Sequence, residues 1–407
     1  MKSKTQTESL APAPTEGACA LCSSSAASVF WEAVDVPVFC NVLCGTREEA
    51  LSAARADMRL TYCPDCAFIC NAAFDPTRLA YGVRYENSLH HSPLFQKYAA
   101  ELARKLVERY NLHNKVIVEI ACGQGDFLRA LCATGGNTGL GFDPSYVPKE
   151  TAAPGMKRVT FVQDYYSARY ADRRADFVCC RHALEHVAAP VAFLSDVRHA
   201  LAEQDDAVVF FEVPNAMWTL RQLGIWDLIY EHCTYFVGAA LRRCFMAAGF
   251  APLATTDEYG GQFLTIEARL ATNGNAHARQ SSDAEERAGI TADVQRFAAA
   301  YTAKVAAWRE RLRALRAARR RAVIWGSGSK GVTFLNVLAA ENTIEYVVDL
   351  NPRKQGMFVP GAGQRIVAPD FLRAYRPDVV IVMNPVYVAE IQQALAELGV
   401  GAEVQVA

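Results

Sequence analysis

From residue 115 onward the chain alternates short apolar runs with glycine turns and helical stretches. No other feature limits the folds open to it so strongly. Residues 115–121 read as an apolar strand, CGQGD as a glycine turn, and FLRALCATG as a helix closing on glycine. NTGLGFDPS gives a second strand ending at Asp143, and RVTFVQDYY, ADFVCCRHALEHV, AVVFFEVPN and FLTIEARL supply further strands. Alternating β and α units build a parallel, doubly wound sheet. A second α/β unit opens with AVIWGSGSKGVTFLNVL and continues through IEYVVDLNP and PDVVIVMNP. Between the two units, residues 271–288 are small and polar and read as a linker. The stretch from about 290 to 320 reads as a solvated helix whose arginines sit near its C-terminus, where the helix dipole favours cations.

At 407 residues and 51% hydrophobic composition, the chain can bury several cores. Lys and Arg total 42 against 43 Asp and Glu, a balance that argues against a broad electrostatic grip on nucleic acid. No apolar run approaches the ~20 residues of a membrane helix. The opening MKSKTQTESLAPAPTEG lacks the apolar core of a secretory signal and reads as a disordered leader over residues 1–17. A reducing cytoplasm is therefore expected, and the 13 cysteines there serve metal binding or burial rather than disulfides. Four of them form two tight pairs, Cys19 with Cys22 and Cys63 with Cys66. Two such knuckles present four thiolates to one tetrahedral ion and leave no open position, which predicts a structural Zn²⁺. Cys40, Cys44 and Cys70 are the reserve ligands.

The first glycine turn, VEIACGQGD, carries Glu119 before Gly123 and Gly125, and Asp143 follows Gly125 by eighteen residues. An acid at the next strand end can accept from a ribose diol. Glu119, and the lack of a third glycine, make the turn a poor seat for pyrophosphate. A cationic ligand without phosphate, bearing an ammonium, a sulfonium and a ribose, fits better: S-adenosylmethionine. The motif E-I-A-C-G-Q-G resembles the first motif of the class I S-adenosylmethionine-dependent methyltransferases. That resemblance implies that Gly123 and Gly125 border the methionine moiety beside Glu119. It also implies that Asp143 holds the ribose, that Gln163 and Asp164 meet the adenine, and that His182 lines the cofactor loop.

Two glutamate–histidine pairs, Glu185-His186 and Glu231-His232, lie in apolar surroundings beyond that turn. With the cysteine pairs and the second glycine turn, the chain resembles the three-domain zinc-containing C-methyltransferases of nucleotide-linked keto-deoxysugars. The resemblance implies a zinc-binding domain over residues 18–90, a Rossmann-like methyltransferase domain over 91–270, a linker and long helix over 271–320, and a Rossmann-like α/β domain over 321–407. It implies His232 as base, Glu231 as its orienter, and Tyr230 and His186 as enolate or substrate contacts. Tyr81 and Tyr85 of YGVRYENS supply the N-terminal domain's tyrosine. A carbon beside a ketone is a weak acid, and a histidine near pKa ~6.5 can deprotonate it at neutral pH. The expected acceptor is a small molecule, a nucleotide-linked keto-sugar or another metabolite, bound by a monomer or weak homodimer without nucleic acid or membrane. O- or N-methylation of a non-sugar acceptor is the alternative.

The C-terminal turn, Gly326-x-Gly328-x-x-Gly331 with Asp349 eighteen residues on, would by itself suggest an NAD(P)-dependent enzyme. Three readings stay open: acceptor phosphates strengthened by Lys330, a dinucleotide, or a purely structural domain.

Overall fold

The computed structural model describes residues 18–148, 158–170, 173–202, 204, 206–272, 283–338 and 343–407. The expected leader lies outside them, as does most of the expected linker. Among the described residues, no helix is long and apolar enough to cross a membrane.

Strands β1 (Ser28–Pro37), β2 (Arg55–Tyr62) and β3 (Ile69–Asn71) form an antiparallel meander at the N-terminus. The helix Pro93–Arg109 follows, capped by the Ser92 side chain on the Phe95 N–H and burying Phe95, Ala99, Leu102 and Leu106 at helical spacing. The central sheet then runs through β4 (Val116–Ile120), β5 (Thr138–Phe142), β6 (Val159–Val162), β7 (Phe177–Arg181) and β8 (Val208–Pro214), all parallel. The short β9 (Thr234–Tyr235) leaves this domain to pair with β3, so the N-terminal sheet has the order β1-β2-β3-β9. Strands β10 (Phe250–Glu258) and β11 (Phe263–Leu270) complete a seven-stranded sheet of order β10-β11-β8-β7-β4-β5-β6.

That sheet is not wholly parallel, as the alternation had suggested. β11 runs antiparallel to both neighbours. Its reversal follows from the tight turn after β10, where Gly260 and Gly261 take φ of 67° and 83° and no helix intervenes.

The last domain is a five-stranded parallel sheet of order β14-β13-β12-β15-β16, from β12 (Ala322–Trp325), β13 (Ile344–Val348), β14 (Arg365–Val367), β15 (Val379–Val382) and β16 (Glu403–Val406). In the seven-stranded and five-stranded sheets alike the first strand sits centrally and the order reverses beside it, between β4 and β7 and between β12 and β15. Open α/β sheets bind ligands outside the carboxyl ends of the strands at such reversals.

The long helix is Asp283–Ala317, and it is not merely solvated. Ile290, Val294, Phe297, Val305, Trp308, Leu312 and Leu315 form a buried stripe along it. Trp31 of the N-terminal sheet meets Tyr301 at 5.3 Å, and Phe334 of the C-terminal domain meets Trp308 at 5.2 Å. One apolar core is thus continuous through all three parts of the chain.

Candidate active site

Both sheet reversals open into a single cleft of about 570 Å³. Gly123, Asp143, His182, His186 and His232 of the first α/β unit line it together with Gly326, Gly328, Lys330 and Asp349 of the second.

The two glycine turns are built alike. Asp143 Oδ2 accepts the Gly123 N–H at 2.7 Å, and its Oδ1 accepts the Ser145 N–H and hydroxyl. Asp349 Oδ2 accepts the Ser327 N–H and hydroxyl, and its Oδ1 accepts the Asn351 N–H. A carboxylate offers about four lone-pair sites, so each acid keeps one for a ligand. Glu119 lies beneath the first turn, its Oε2 accepting the Leu128 N–H at 3.0 Å, and burial raises its carboxyl to about 8.

Gly123, at φ 53°, has open space where a Cβ would stand, so the cleft reaches its backbone. Gly125 differs from expectation: it does not line the cleft. A Cβ there would stand 2.2 Å from the Phe161 ring, and its φ is 76°. It serves the close packing of the turn on β6. The left-handed backbone alone costs an L-residue about 1–2 kcal/mol. Gly125→Ala is therefore expected to lower the melting temperature by several degrees, as read by calorimetry. Gln163 also misses the cleft, being exposed and turned to the Pro144 carbonyl. Its neighbour Asp164 lines the cleft, as adjacent residues at a strand end face opposite ways.

His182 sits just past β7 with φ 53°, a costly conformation for a non-glycine residue, and its Nε2 lies 2.9 Å from Glu212 Oε1. Arg181 donates twice to the same oxygen at 2.7 and 2.9 Å, and the Tyr98 hydroxyl donates to Glu212 Oε2. Burial would raise Glu212, but Arg181 and the His182 ring draw it down to about 2. This buried charge network was missed in the sequence. Its signal was there: the apolar strands FVCCR and VVFFE each carry one charge near the edge where ligands bind.

The histidine cluster also departs from expectation. His186 and His232 meet edge to face at 4.9 Å, and His186 Nδ1 shares a 2.8 Å hydrogen bond with the Tyr81 hydroxyl. The carboxylate beside them is Glu185, not Glu231. Glu231 turns away from His232, its Oε2 accepting the Cys40 N–H at 2.7 Å with the Tyr85 hydroxyl and Lys354 nearby. It therefore ties the segment that carries His232 to the N-terminal domain rather than orienting the imidazole. Tyr230 is fully buried outside the cleft, packed on Phe74 with its hydroxyl accepting the Asp75 N–H, so it contacts no substrate. Tyr81 and Tyr85 both line the cleft, 4.8 Å apart. Burial keeps His232 well below its ordinary pKa and takes His186 down to about 4, so both rings are neutral at pH 7.

The four paired cysteines converge at the edge of the N-terminal sheet. Cys19 Sγ lies 3.4 Å from Cys66 Sγ, and Cys22 Sγ lies 3.7 Å from Cys63 Sγ. Zn–S bonds of about 2.3 Å in a tetrahedron put sulfurs about 3.8 Å apart, so this donor set fits the ion.

Residues 94–255 match the family model of a methyltransferase domain, and residues 257–403 match that of a C-methyltransferase C-terminal domain. No curated protein matches the chain. Among solved structures, a 1,6-didemethyltoxoflavin N1-methyltransferase from Burkholderia thailandensis, bound to S-adenosylhomocysteine, aligns at TM-score 0.34 and 18% identity. That alignment covers 44% of this chain and 82% of that one. The magnesium protoporphyrin IX methyltransferase of Synechocystis PCC 6803, also with S-adenosylhomocysteine, aligns at 0.34 and 20%, covering 44% and 84%. The sheet order, the glycine turn and the matched domains define a class I methyltransferase. The chain thus carries a methyltransferase domain followed by a C-methyltransferase C-terminal domain.

Proposed function

We propose that this enzyme methylates a carbon beside a carbonyl, in a nucleotide-linked keto-deoxysugar or a related small metabolite. The observation that carries the reading is the shared cleft, lined by both glycine turns and by the neutral histidines. When bound, S-adenosylmethionine supplies an electrophilic methyl group. Asp143 fixes the ribose through its remaining lone pair, and Asp164 faces the adenine. His232 takes the acceptor's proton, and the neutral Tyr81 hydroxyl donates toward the developing enolate oxygen. Tyr81 is suited to donate, since burial holds its pKa well above the ordinary value. Lys330 and the backbone N–H groups after β12 meet the acceptor's phosphates. Zinc on Cys19, Cys22, Cys63 and Cys66 is structural, since four thiolates fill its coordination.

A hydrogen bond to a charged group contributes about 1.5–3 kcal/mol. Asp143→Ala should therefore weaken S-adenosylhomocysteine about 10- to 100-fold in calorimetric titration. Wild-type protein with a nucleoside-diphosphate keto-deoxyhexose in D₂O should exchange the proton beside the carbonyl and, with S-adenosylmethionine, add one methyl there. Methylation of an alcohol or amine without such exchange would replace this reading with O- or N-transfer.

A further inference from the structure

Glu185 is the one carboxylate of the histidine cluster that the expected chemistry leaves unused. It lies on the short 3-10 turn Leu184–His186 that follows β7, and it is 2% exposed. Its Oε2 is buried with no hydrogen-bond partner among the described residues, while Oε1 stands 3.9 Å from His186 Nε2. One donor atom from each of Glu185, His186 and His232 lies within 4.8 Å of the others. A buried carboxyl with an idle oxygen is costly to keep unless a cation or proton visits it. Glu231 also has a buried oxygen, Oε1, without a partner among the described residues, but its carboxylate is held on the Cys40 N–H and lies outside the cluster of Glu185, His186 and His232.

From this geometry we propose that Glu185, not Glu231, is the positioning residue that acts through His232, receiving the proton that the imidazole takes from the acceptor. The proposal rests on the carbon-methylation reading. In the reaction the acceptor C–H bond breaks, the proton goes to a His232 ring nitrogen, and the electron pair stays on carbon as the enolate. That pair forms the new C–C bond to the methyl group. The broken S–C bond leaves its electrons on sulfur, giving a neutral thioether. The proton then moves from His232 to the Glu185 carboxylate and leaves with product release. The neutral imidazole is restored for the next turnover.

The groups facing Glu185 come from several elements. Cys180 and Glu212 lie on β7 and β8, Cys233 and His232 on the segment before β9, and Tyr81 on the N-terminal domain. His186 adjoins it on the turn. Of these, burial and the Glu212 charge hold Glu185 up to about 8. Turnover that needs its ionised form should rise with pH through 7–9 and then level.

Glu185→Gln keeps the shape and removes the ionisation. It is expected to lower kcat at least about 10-fold with the keto-deoxyhexose acceptor, and to erase the rising limb between pH 7 and 9. KM and S-adenosylhomocysteine affinity should stay within twofold, which a folding defect would not allow. Glu185→Asp, still ionisable, should restore part of the rate and the limb. Wild-type kcat with an unchanged limb in Glu185→Gln would overturn the proposal and leave carbon methylation standing. So would one Zn²⁺ or Mn²⁺ bound beyond the cysteine site and lost in Glu185→Gln, because the cluster would then be a metal centre. Absence of both exchange and methyl addition in the wild-type protein would instead defeat the carbon-methylation reading itself.

Discussion

Alanine at His232 is expected to cut methyl transfer by about 10²–10⁴-fold, the usual contribution of a positioned general base. The ring lines the shared cleft with a nitrogen within 4.8 Å of Glu185 and His186, on the segment before β9, whereas the glycine turn and Asp143 stand at the ends of β4 and β5. S-adenosylhomocysteine affinity should therefore hold within twofold, and solvent exchange beside the carbonyl should fall with turnover. Steady-state kinetics by mass spectrometry, with calorimetric titration on the same preparation, checks both. Near-normal turnover would remove His232 from the proton step.

The second large effect is expected at the cysteine site. Serine at both Cys63 and Cys66 removes two of four ligands, and structural zinc holds small domains together outright. The metal content should drop from one ion to none by elemental analysis. The consequence should reach the reaction, because the N-terminal domain supplies Tyr81 to His186 and the Cys40 N–H to Glu231. It also pairs β3 with β9, directly after His232. Methyl transfer should be lost while S-adenosylhomocysteine still binds, its turn lying wholly on β4 and β5. Residues 18–90 should become the first site of limited proteolysis. Full activity in the zinc-free variant would show that the metal does not hold these contacts.

The central sheet was legible because each strand announces itself by an apolar run closed by glycine or a charged residue, as in VIVEIACGQG. The reversed β11 was not, since a hairpin turn and a crossover helix both begin after an apolar run. Asp143 was singled out by its distance from the glycine turn and the two histidines by the family resemblance, and all three line the cleft. The partner of His232 could not: Glu231 is next to it in the chain, yet successive side chains diverge, and the carboxylate in reach comes from 47 positions earlier. Tyr230 failed for the same reason. Adjacency in the chain says little about which side of a turn a group will face. The long helix misled differently, because its many arginines mask a buried stripe from Ile290 to Leu315 that shows only at helical spacing.

That helix sets a limit on how the enzyme could be shortened. A fragment ending at Leu270 would retain every strand of the methyltransferase sheet and every cofactor group, and would look sufficient on paper. It would nonetheless strip the cover from Trp31 and leave Leu223 without the Lys304 ammonium that bonds its carbonyl. Trimming toward a minimal catalyst is thus bound to fail at this strut, and grafting a foreign C-terminal half onto the enzyme would have to keep Asp283–Ala317 in place.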